Sequence, residues 1–432
     1  MTPNASFGRS LTVGSLLGLG AGILLGAALR GSEGGVLASA AQGAETLGRL
    51  WARALQAIVL PLVISLLLTA VLSERGKGVG RLGGVSVALF VALLILGAAF
   101  AWASAPPLIE RFVDPGAPTA AVAVPEAARS AEGGKEGVTD WLVGLVPVNP
   151  IRSAMEGDIL QVLLFTIFFG IAVRRIAEAR RRRLTGCFES LAEAMMAATR
   201  LLIRFTPIGV FGLALAFARE AGLAVAHVLA LFVAIVSGLL LAHTLLLYPV
   251  TALLGRVPLR RFAEAAYPAQ LVAIGTRSSL ASVPALLEGA RRKLPVPHET
   301  LDFAVPFAAS LFKGNRTVSA PVKLFFLAHL YGIPLEPVQV VAFVVTTILL
   351  SFSAVGIPGG GGSLRNLPAY AAVGIPVEGY LLLEAVDVIP DVFKTLNNTT
   401  GYLSVAVLLS RLTGASEAPR VEAALADEGA PA

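Results

Sequence analysis

The sequence predicts an all-α polytopic membrane protein, and three observations support that prediction. Of the 432 residues, 56% are hydrophobic and only 14% are charged, whereas a soluble domain carries about 25% charged residues. Apolar runs of membrane-crossing length recur along the chain, and short basic connections separate several of them. In the last third, Gly, Pro, Ser and charged residues interrupt the apolar runs. A chain of this composition is expected to cross the cell membrane many times.

The first two thirds of the chain hold six uninterrupted apolar spans. Each approaches or exceeds the roughly 20 residues that a helix needs to cross the hydrocarbon core. The basic connections at 73–81, 174–183 and 255–261 fall on one side when the spans are counted. The positive-inside rule therefore predicts a cytoplasmic N-terminus at 1–10 and an extracytoplasmic loop at 107–140. The predicted spans are 11–30, 51–73, 82–106, 157–173, 191–217 and 222–254.

The pattern changes after Arg261, where two segments have the form of helix, tight polar turn, helix. Segment 262–290 is broken at "GTRSSLASVP" (275–284), and segment 338–375 is broken at "AVGIPGGGGSLRN" (354–366). Neither half of either segment is long enough to cross alone, so we expect two re-entrant hairpins, one entering from each side. Irregular backbone at membrane depth survives only where protein buries it or where it lines an aqueous cavity. Interrupted spans of this kind indicate a transporter binding site.

A polar stripe marks the last apolar segment, 378–412. Its members are separated by four, three, one, three and four residues, a spacing that places them on one helical face. An ionisable group at mid-bilayer is costly, so the stripe is expected to face a cavity or a partner. The stripe consists of Asp387, Asp391, Lys394, Thr395, Asn398 and Tyr402.

The charges of the stripe indicate the class of ligand. Asp391 would accept hydrogen bonds from an ammonium group, and Lys394, one turn further on, would donate to a carboxylate. Opposite charges one turn apart suit a zwitterion such as an amino acid, and would equally form a salt bridge when no ligand is bound. Polar residues in the neighbouring breaks are expected to face the same chamber: Arg277, Ser278, Ser279, Ser282, Lys313, Arg316 and Arg365. The alternative is that these charges only pair with one another to orient helices.

Several other functions are less well supported. An enzyme would need a nucleophile beside a base or a set of metal ligands, and the sequence shows neither pattern. The single cysteine, Cys187, excludes a cysteine-based metal site, and the four histidines show no paired ligand spacing, so no metal and no cofactor is expected. The net charge is +6, but the basic residues fall between the spans, so this charge does not indicate nucleic-acid binding. A channel, or a sensor that binds without transporting, remains an alternative, because broken helices also build filters.

The motifs, taken in their order along the chain, resemble the dicarboxylate/amino acid:cation symporters, the glutamate transporter family. The resemblance runs from about residue 11 to residue 412. Its elements are "LQAIVLPLVISLL" (55–67), "LVPVNP" (145–150), "TPIGVFGL" (206–213), "TRSSLASVP" (276–284), "AVGIPGGGG" (354–362) and "DVIPDVFKTLNNTTG" (387–401).

The resemblance implies a fold and an assembly. The fold would have eight transmembrane helices plus two re-entrant helical hairpins, and three copies would form a homotrimer in the lipid bilayer. Scaffold helices would come mainly from 11–73 and 157–254. The transport domain, which slides as an elevator, would combine 82–106, 222–254 and 262–412. The polar tail at 413–432 would be a flexible cytoplasmic C-terminus.

The resemblance also implies roles for individual residues. Asp391 falls at the position that binds the substrate's amino group. Lys394 falls where most members with acidic substrates use an arginine, and Ser279 falls in the tip that contacts the main carboxylate. Because lysine lacks the planar bidentate grip of arginine, Arg316 would supply that grip from the seventh helix. The other substrate-binding positions are Arg277, Ser278, Gly356, Ile357, Pro358, Gly359, Thr395 and Asn398, the four from Gly356 to Gly359 forming the outer gate.

The positions that bind sodium in the family differ in this chain. The seventh helix of the family carries an Asn-Met-Asp-Gly-Thr motif, and "FKGNRT" (312–317) replaces it, with Gly314 at the acidic position. Tyr402 replaces the last aspartate of the eighth helix, and Leu96 and Gly97 replace a polar pair of the third helix. Sodium needs several oxygen ligands, and a nearby ammonium or guanidinium group repels it.

These departures predict a member that is not coupled to sodium through the family's sites. Lys313 and Arg316 would take the electrostatic place of the bound ions. The coupling cation, H⁺ or Na⁺, stays open at this point, as does the absence of coupling. The candidate coupling residues are Asp387, Asp391 and Lys313. The expected substrate is a small carboxylate, either an amino acid or a C4-dicarboxylate.

Overall fold

The computed structural model describes residues 5–30, 35–72, 80–113, 143, 145–156, 158–352 and 366–414. Within these ranges the regular structure is helical, which confirms the predicted all-α class. The helices are α1 (Ala5–Ala28), α2 (Val36–Leu72), α3 (Gly80–Phe112), α4 (Pro150–Glu156), α5 (Ile159–Val173), α6 (Glu178–Ile203), α7 (Thr206–Ala221), α8 (Ala224–Gly255), α9 (Leu259–Thr276), α10 (Val283–Lys293), α11 (His298–Leu311), α12 (Asn315–Tyr331), α13 (Pro337–Phe352), α14 (Leu367–Ala372), α15 (Val377–Ala385) and α16 (Val388–Thr413).

Several of these helices have the length and composition of membrane spans. Three qualify among the described residues, over Val36–Thr69, Gly83–Phe112 and Ala224–Gly255, and the bent pair of α6 and α7 is a fourth if it is counted as one span. Among the other predicted spans, α5 has only 15 residues, whereas α1 and α16 have 24 and 26 residues. The count of eight transmembrane helices and two re-entrant hairpins therefore stays a prediction.

The predicted span 191–217 is not one straight helix. The chain breaks between α6 and α7, and the two helices are bent by 60°. Pro207 lies in the first turn of α7, where proline is favoured because its missing N–H needs no intrahelical partner. A proline at that position also prevents the preceding helix from continuing, since its ring would clash with the carbonyl one turn before it.

Two predicted connections are partly helical. The basic stretch 174–183 was expected between spans, yet α6 begins at Glu178 and includes Arg180–Arg183. Arginine and glutamate are good helix formers, and an i,i+4 ion pair joins Glu178 to Arg182. The long loop was expected from residue 107, yet α3 continues through Pro107 to Phe112.

Glycines spaced by four residues let α1 pack closely against α7. A methyl group built on Gly18, Gly22 or Gly26 would lie 2.4, 2.6 or 2.5 Å, respectively, from a main-chain carbonyl oxygen of α7. The three oxygens are themselves one helical turn apart. Small residues at this spacing let helix backbones approach within a membrane, where packing drives association.

The variant Gly22→Leu is therefore expected to destabilise the protein. The added side chain overlaps the α7 backbone, which cannot move without disturbing its own packing, and overpacking of this kind costs about 1–3 kcal/mol. We expect a lower apparent melting temperature in detergent. Gly20→Leu is the matched control, because no atom lies within 4 Å of a methyl group built there. Equal melting temperatures for the two variants would refute the close packing.

Contacts divide the chain into two compact units. The first unit comprises Met1–Ser73, Ala98–Leu239 and Arg316–Pro390, and the second comprises Glu74–Gly97, Leu240–Asn315 and Asp391–Ala432. The division into a scaffold and a sliding transport domain, which the resemblance implies, stays a prediction.

Candidate functional site

The first predicted hairpin is a helix–turn–helix in the second unit. Helix α9 ends at Thr276, and α10 begins at Val283. Arg277, which caps the end of α9, has a φ of 51° in the left-handed region. The arms approach at Gly289, where a methyl group would lie 2.3 Å from the Ala265 carbonyl oxygen. The turn between the two helices contains Ser278, Ser279 and Ser282, and clusters of such short polar residues interrupt helices. Entry of this hairpin into the membrane from one side stays a prediction.

The predicted break at 312–317 is also present. Helix α11 ends at Leu311, the chain passes through extended backbone at Phe312, and α12 starts at Asn315. The side-chain carbonyl of Asn398 accepts a hydrogen bond of 3.1 Å from the Asn315 main-chain N–H. A side chain from α16 thus satisfies one of the donors that every helix start leaves unpaired.

A lysine ties the break to the last helix and to the hairpin tip. The Lys313 ammonium donates to the Ala309 carbonyl oxygen at 2.8 Å and to the Tyr402 hydroxyl at 2.9 Å. The Tyr402 hydroxyl in turn donates to Ser279 Oγ at 3.0 Å. Ser279, expected to contact a substrate carboxylate, therefore accepts a bond from the protein. We call Lys313, Tyr402 and Ser279 the lysine relay.

Further polar contacts surround α16. Ser282 Oγ and Thr399 Oγ1 lie 3.0 Å apart, which joins the start of α10 to α16. The Gln270 amide donates to Thr400 Oγ1 at 2.8 Å, and Thr251 donates to Ser404 Oγ at 2.8 Å. The polar surface of α16 is thus broader than the single stripe that the sequence predicts.

Asn397 was also missed by the prediction from sequence. It is 1% exposed, and its amide nitrogen lies 2.8 Å from His243 Nδ1 and donates to Thr244 Oγ1 at 3.0 Å. The run of polar residues "NNTT" (397–400) was the available signal, because four consecutive polar residues in an apolar helix occupy more than one face.

Two amide oxygens at the break have no hydrogen-bond partner within the described part of the chain. They are Asn315 Oδ1 and Asn397 Oδ1, both buried. A methyl group built on Gly314 would lie 3.6 Å from Asn397 Oδ1, so this oxygen faces the break. Buried amide oxygens normally accept a bond, and these two can accept from a hydroxyl, ammonium or water donor.

The start of α16 holds the residues expected to bind substrate. Asp391 is half-buried in its first turn, whereas Lys394, Thr395 and Asn398 are 8%, 5% and 6% exposed. The Thr395 hydroxyl donates to the Asp391 main-chain carbonyl at 2.8 Å. These four residues share one helical face, as the spacing predicts.

Asp387 is not part of the α16 stripe. It lies in the turn between α15 and α16, two residues before the Ile389–Pro390 pair. Proline cannot donate within a helix and clashes with the carbonyl four residues before it, so Pro390 favours a helix start nearby. The predicted stripe is therefore shorter at its N-terminal end.

The remaining predicted site residues have different positions. Arg277 is exposed, Ser278 is half-buried, and both lie in the hairpin turn. Arg316 belongs to the first unit, where its guanidinium donates to the Leu350 carbonyl at 3.1 Å. That Arg316 meets Asp391 and Lys394 in one chamber stays a prediction. The gate positions Gly356, Ile357, Pro358 and Gly359, together with Arg365, lie outside the described residues.

An apolar helical chain with a helix–turn–helix tip, a broken helix and buried charges is typical of membrane transport proteins. The sequence profile of the Sodium:dicarboxylate symporter family matches residues 11–412, and the chain belongs to that family. The family consists of membrane-embedded transporters and not of enzymes. The resemblance to the glutamate transporters is thereby confirmed.

Curated relatives cover most of the chain. A proton/sodium-glutamate symport protein of Bacillus subtilis is 26% identical over 384 residues, 86% of each chain. A proton/glutamate-aspartate symporter of Escherichia coli is 25% identical over 377 residues, 84% of each chain. C4-dicarboxylate transport protein 1 of Pseudomonas aeruginosa is 29% identical over 299 residues, which is 67% of this chain and 64% of the relative.

Proposed function

We propose that this protein is a secondary active symporter for a small carboxylate, an amino acid or a C4-dicarboxylate, that works as a homotrimer by elevator-type alternating access. One observation supports this most strongly: α16 carries a half-buried acid, Asp391, and a buried base, Lys394, one turn apart near its start. Relatives are named as symport proteins for glutamate or aspartate and as a transport protein for C4-dicarboxylates. The substrate's carboxylate would bind Lys394, and an amino group would bind Asp391.

The lysine relay supports a cycle that does not use the family's sodium sites. The Lys313 ammonium donates to a main-chain carbonyl and to a phenol oxygen, which are oxygens of the kind that a sodium ion binds. A unit charge about 4 Å from another like charge adds about 4 kcal/mol of repulsion at an effective dielectric constant of 20. Lys313 would thus take the electrostatic place of a bound cation. Unlike a bound ion, its charge would stay in the protein throughout the transport cycle.

A proton is then the favoured coupling ion. One relative is named as a proton/glutamate-aspartate symporter and another as a proton/sodium-glutamate symport protein, so the proton occurs in both names. Asp387 and Asp391 are candidate carriers near the substrate, and Asp391 precedes Lys394 by one turn. A proton entering with substrate on the outer side would leave on the inner side.

Transport in proteoliposomes tests this proposal. Substrates are first chosen by thermal shift with amino acids and dicarboxylates, since a ligand raises the melting temperature by mass action. We then expect uptake in potassium medium without sodium, and accumulation against a substrate gradient when the outside is more acidic. A steep dependence on external sodium would contradict the assigned coupling, and no uptake of any carboxylate would contradict the symporter assignment.

A further inference from the structure

A buried ion pair lies in the first unit, apart from the residues discussed above. The Lys323 ammonium on α12 pairs with the Glu384 carboxylate on α15. The Lys323 side chain is 4% exposed, and the Glu384 side chain is 13% exposed. Ionisable groups this far from water in a membrane protein commonly mark an ion or proton path.

Aromatic rings surround the lysine. Its ammonium lies 4.8 Å from the centroid of the Tyr380 ring and 5.7 Å from that of Phe232. Tyr380 contacts Tyr370 with centroids 4.6 Å apart, and the Tyr370 hydroxyl donates to the Ala320 carbonyl at 2.8 Å. Packing against the hydrogen-bonded Tyr370 thus holds the Tyr380 ring in place. We call Phe232 and Tyr380 the aromatic cage.

The aromatic cage changes what the ion pair can do. A buried lysine without its carboxylate would normally be a bare charge in a medium of low polarity. Ring faces attract an ammonium group whether or not the carboxylate is charged. The aromatic cage therefore stabilises Lys323 while Glu384 is neutral, so that Glu384 can gain and lose a proton without Lys323 having to do the same.

Stability alone is a weak reason for such a pair. Replacing a buried ion pair by apolar side chains of similar size is often neutral or stabilising, because the pair must leave water. The two residues that form this pair also lie near the candidate site along the chain. Glu384 precedes Asp387 by three residues, and Lys323 follows Arg316 by seven, about two helical turns.

The charged and titratable groups that face Glu384 come from three helices and one turn. Helix α12 contributes Lys323, and α14 contributes Tyr370. Arg316 on α12 lies within electrostatic range of Tyr380. Tyr380 on α15 and Asp387 in the following turn are within electrostatic range of the same cluster. From α8 the facing residue is the apolar Phe232. Lys323 forms an ion pair with the carboxylate, and the Tyr380 side chain also hydrogen-bonds to it. The phenols are neutral near pH 7.

We infer that Glu384 is the proton-binding residue of coupled transport, with Lys323 as its fixed counter-charge. A proton from water on the outer side binds the Glu384 carboxylate, which loses its charge while Lys323 stays charged in the aromatic cage. After the transporter has changed its orientation, the carboxylate releases the proton to inner water and pairs with Lys323 again. The inference rests on the proposed symport function and goes beyond it by naming the site.

The variant Glu384→Gln tests the assignment in reconstituted full-length protein. Two reactions are compared, the accumulation of substrate driven by a pH gradient and the exchange of substrate between the two sides at equal pH. A residue that carries the proton is needed for the first reaction only. We expect accumulation to fall at least tenfold and exchange to stay within twofold of the wild type.

Glu45→Gln is the matched control. Glu45 pairs with Arg219 at 2.8 Å, with side chains 15% and 19% exposed, and belongs to the same unit. We expect this variant to retain accumulation. If Glu384→Gln does not fold, the double variant Glu384→Gln with Lys323→Gln leaves no unpaired charge and should show the same selective loss.

The outcomes separate the inference from the proposed function. Accumulation by Glu384→Gln at the wild-type level overturns the inference, and so does an equal loss of accumulation and exchange in folded protein. The proposed function fails on the wild type alone, if a pH gradient drives no accumulation. A changed pH profile of net uptake with an unchanged pH profile of exchange would support the assignment.

Discussion

The variant Asp391→Asn is expected to lower the affinity for an amino acid substrate about 100-fold. The carboxylate lies on the first turn of α16, one turn before Lys394, which is 8% exposed. Asparagine keeps the shape and removes the negative charge that an ammonium group would contact. A charge-assisted hydrogen bond contributes about 1.5–3 kcal/mol to binding, and the substrate's ammonium group, left without that charged acceptor, adds a further desolvation cost. Since 1.4 kcal/mol corresponds to tenfold, a loss of about two orders of magnitude follows.

The same variant distinguishes the two substrate classes. A C4-dicarboxylate such as succinate has no ammonium group, so its affinity should be unchanged or improved when a negative charge is removed. Calorimetric titration of purified protein with glutamate and with succinate gives both values. Asp302→Asn is the control, because Asp302 belongs to the same unit and forms an exposed ion pair with Arg291. Equal weakening of both ligands by Asp391→Asn would show that Asp391 does not contact the amino group.

The variant Lys313→Met is expected to reduce uptake at least tenfold. Methionine has nearly the same length but no charge, so the Ala309 carbonyl and the Tyr402 hydroxyl both lose a charged donor. Each such bond contributes about 1.5–3 kcal/mol. The bond from Tyr402 to Ser279 would persist, yet the hairpin tip would no longer be joined to the helix break through a cation. The apparent melting temperature measures the loss of the two hydrogen bonds. The initial rate of uptake measures the effect of separating the hairpin tip from the helix break.

Charge is the property that matters in this prediction, and two further variants show it. Lys313→Arg keeps the positive charge and should retain more uptake than Lys313→Met. Lys293→Met is the surface control, since the Lys293 side chain is 48% exposed and pairs with Glu264 at 3.0 Å. We expect it to behave as the wild type, because exposed pairs contribute about 0–1 kcal/mol. Uptake by Lys313→Met at the wild-type rate would mean that the lysine relay has no part in transport.

The breaks in the helices could be predicted from the sequence, because Gly, Pro and short polar residues disrupt a helix locally. The turn after Thr276 and the interruption after Leu311 both occur where such residues cluster. The sequence also contained signals that the prediction did not use. Pro390 indicated that α16 begins after Asp387, and Lys323 is flanked on both sides by apolar residues in "APVKLFFLA" (320–328).

The pairing of the buried groups could not be predicted in this way. Lys313 meets Tyr402 across 89 positions of the chain, and Lys323 meets Glu384 across 61. Helical periodicity orders residues around one helix and says nothing about which face of another helix they meet. The polar stripe placed Tyr402 on the face of α16 that was expected to meet the hairpin tips, but it did not predict that the Tyr402 hydroxyl donates to Ser279.

By itself the sequence determined the helical membrane class, the family and the interruptions at 275–284 and 312–317, because composition and backbone preference act along the chain. Tertiary structure decided that Lys313 bonds to Tyr402 and that Lys323 pairs with Glu384 between aromatic rings. Those choices depend on how separate helices pack, and packing alone determines which oxygen or ring a buried cation reaches.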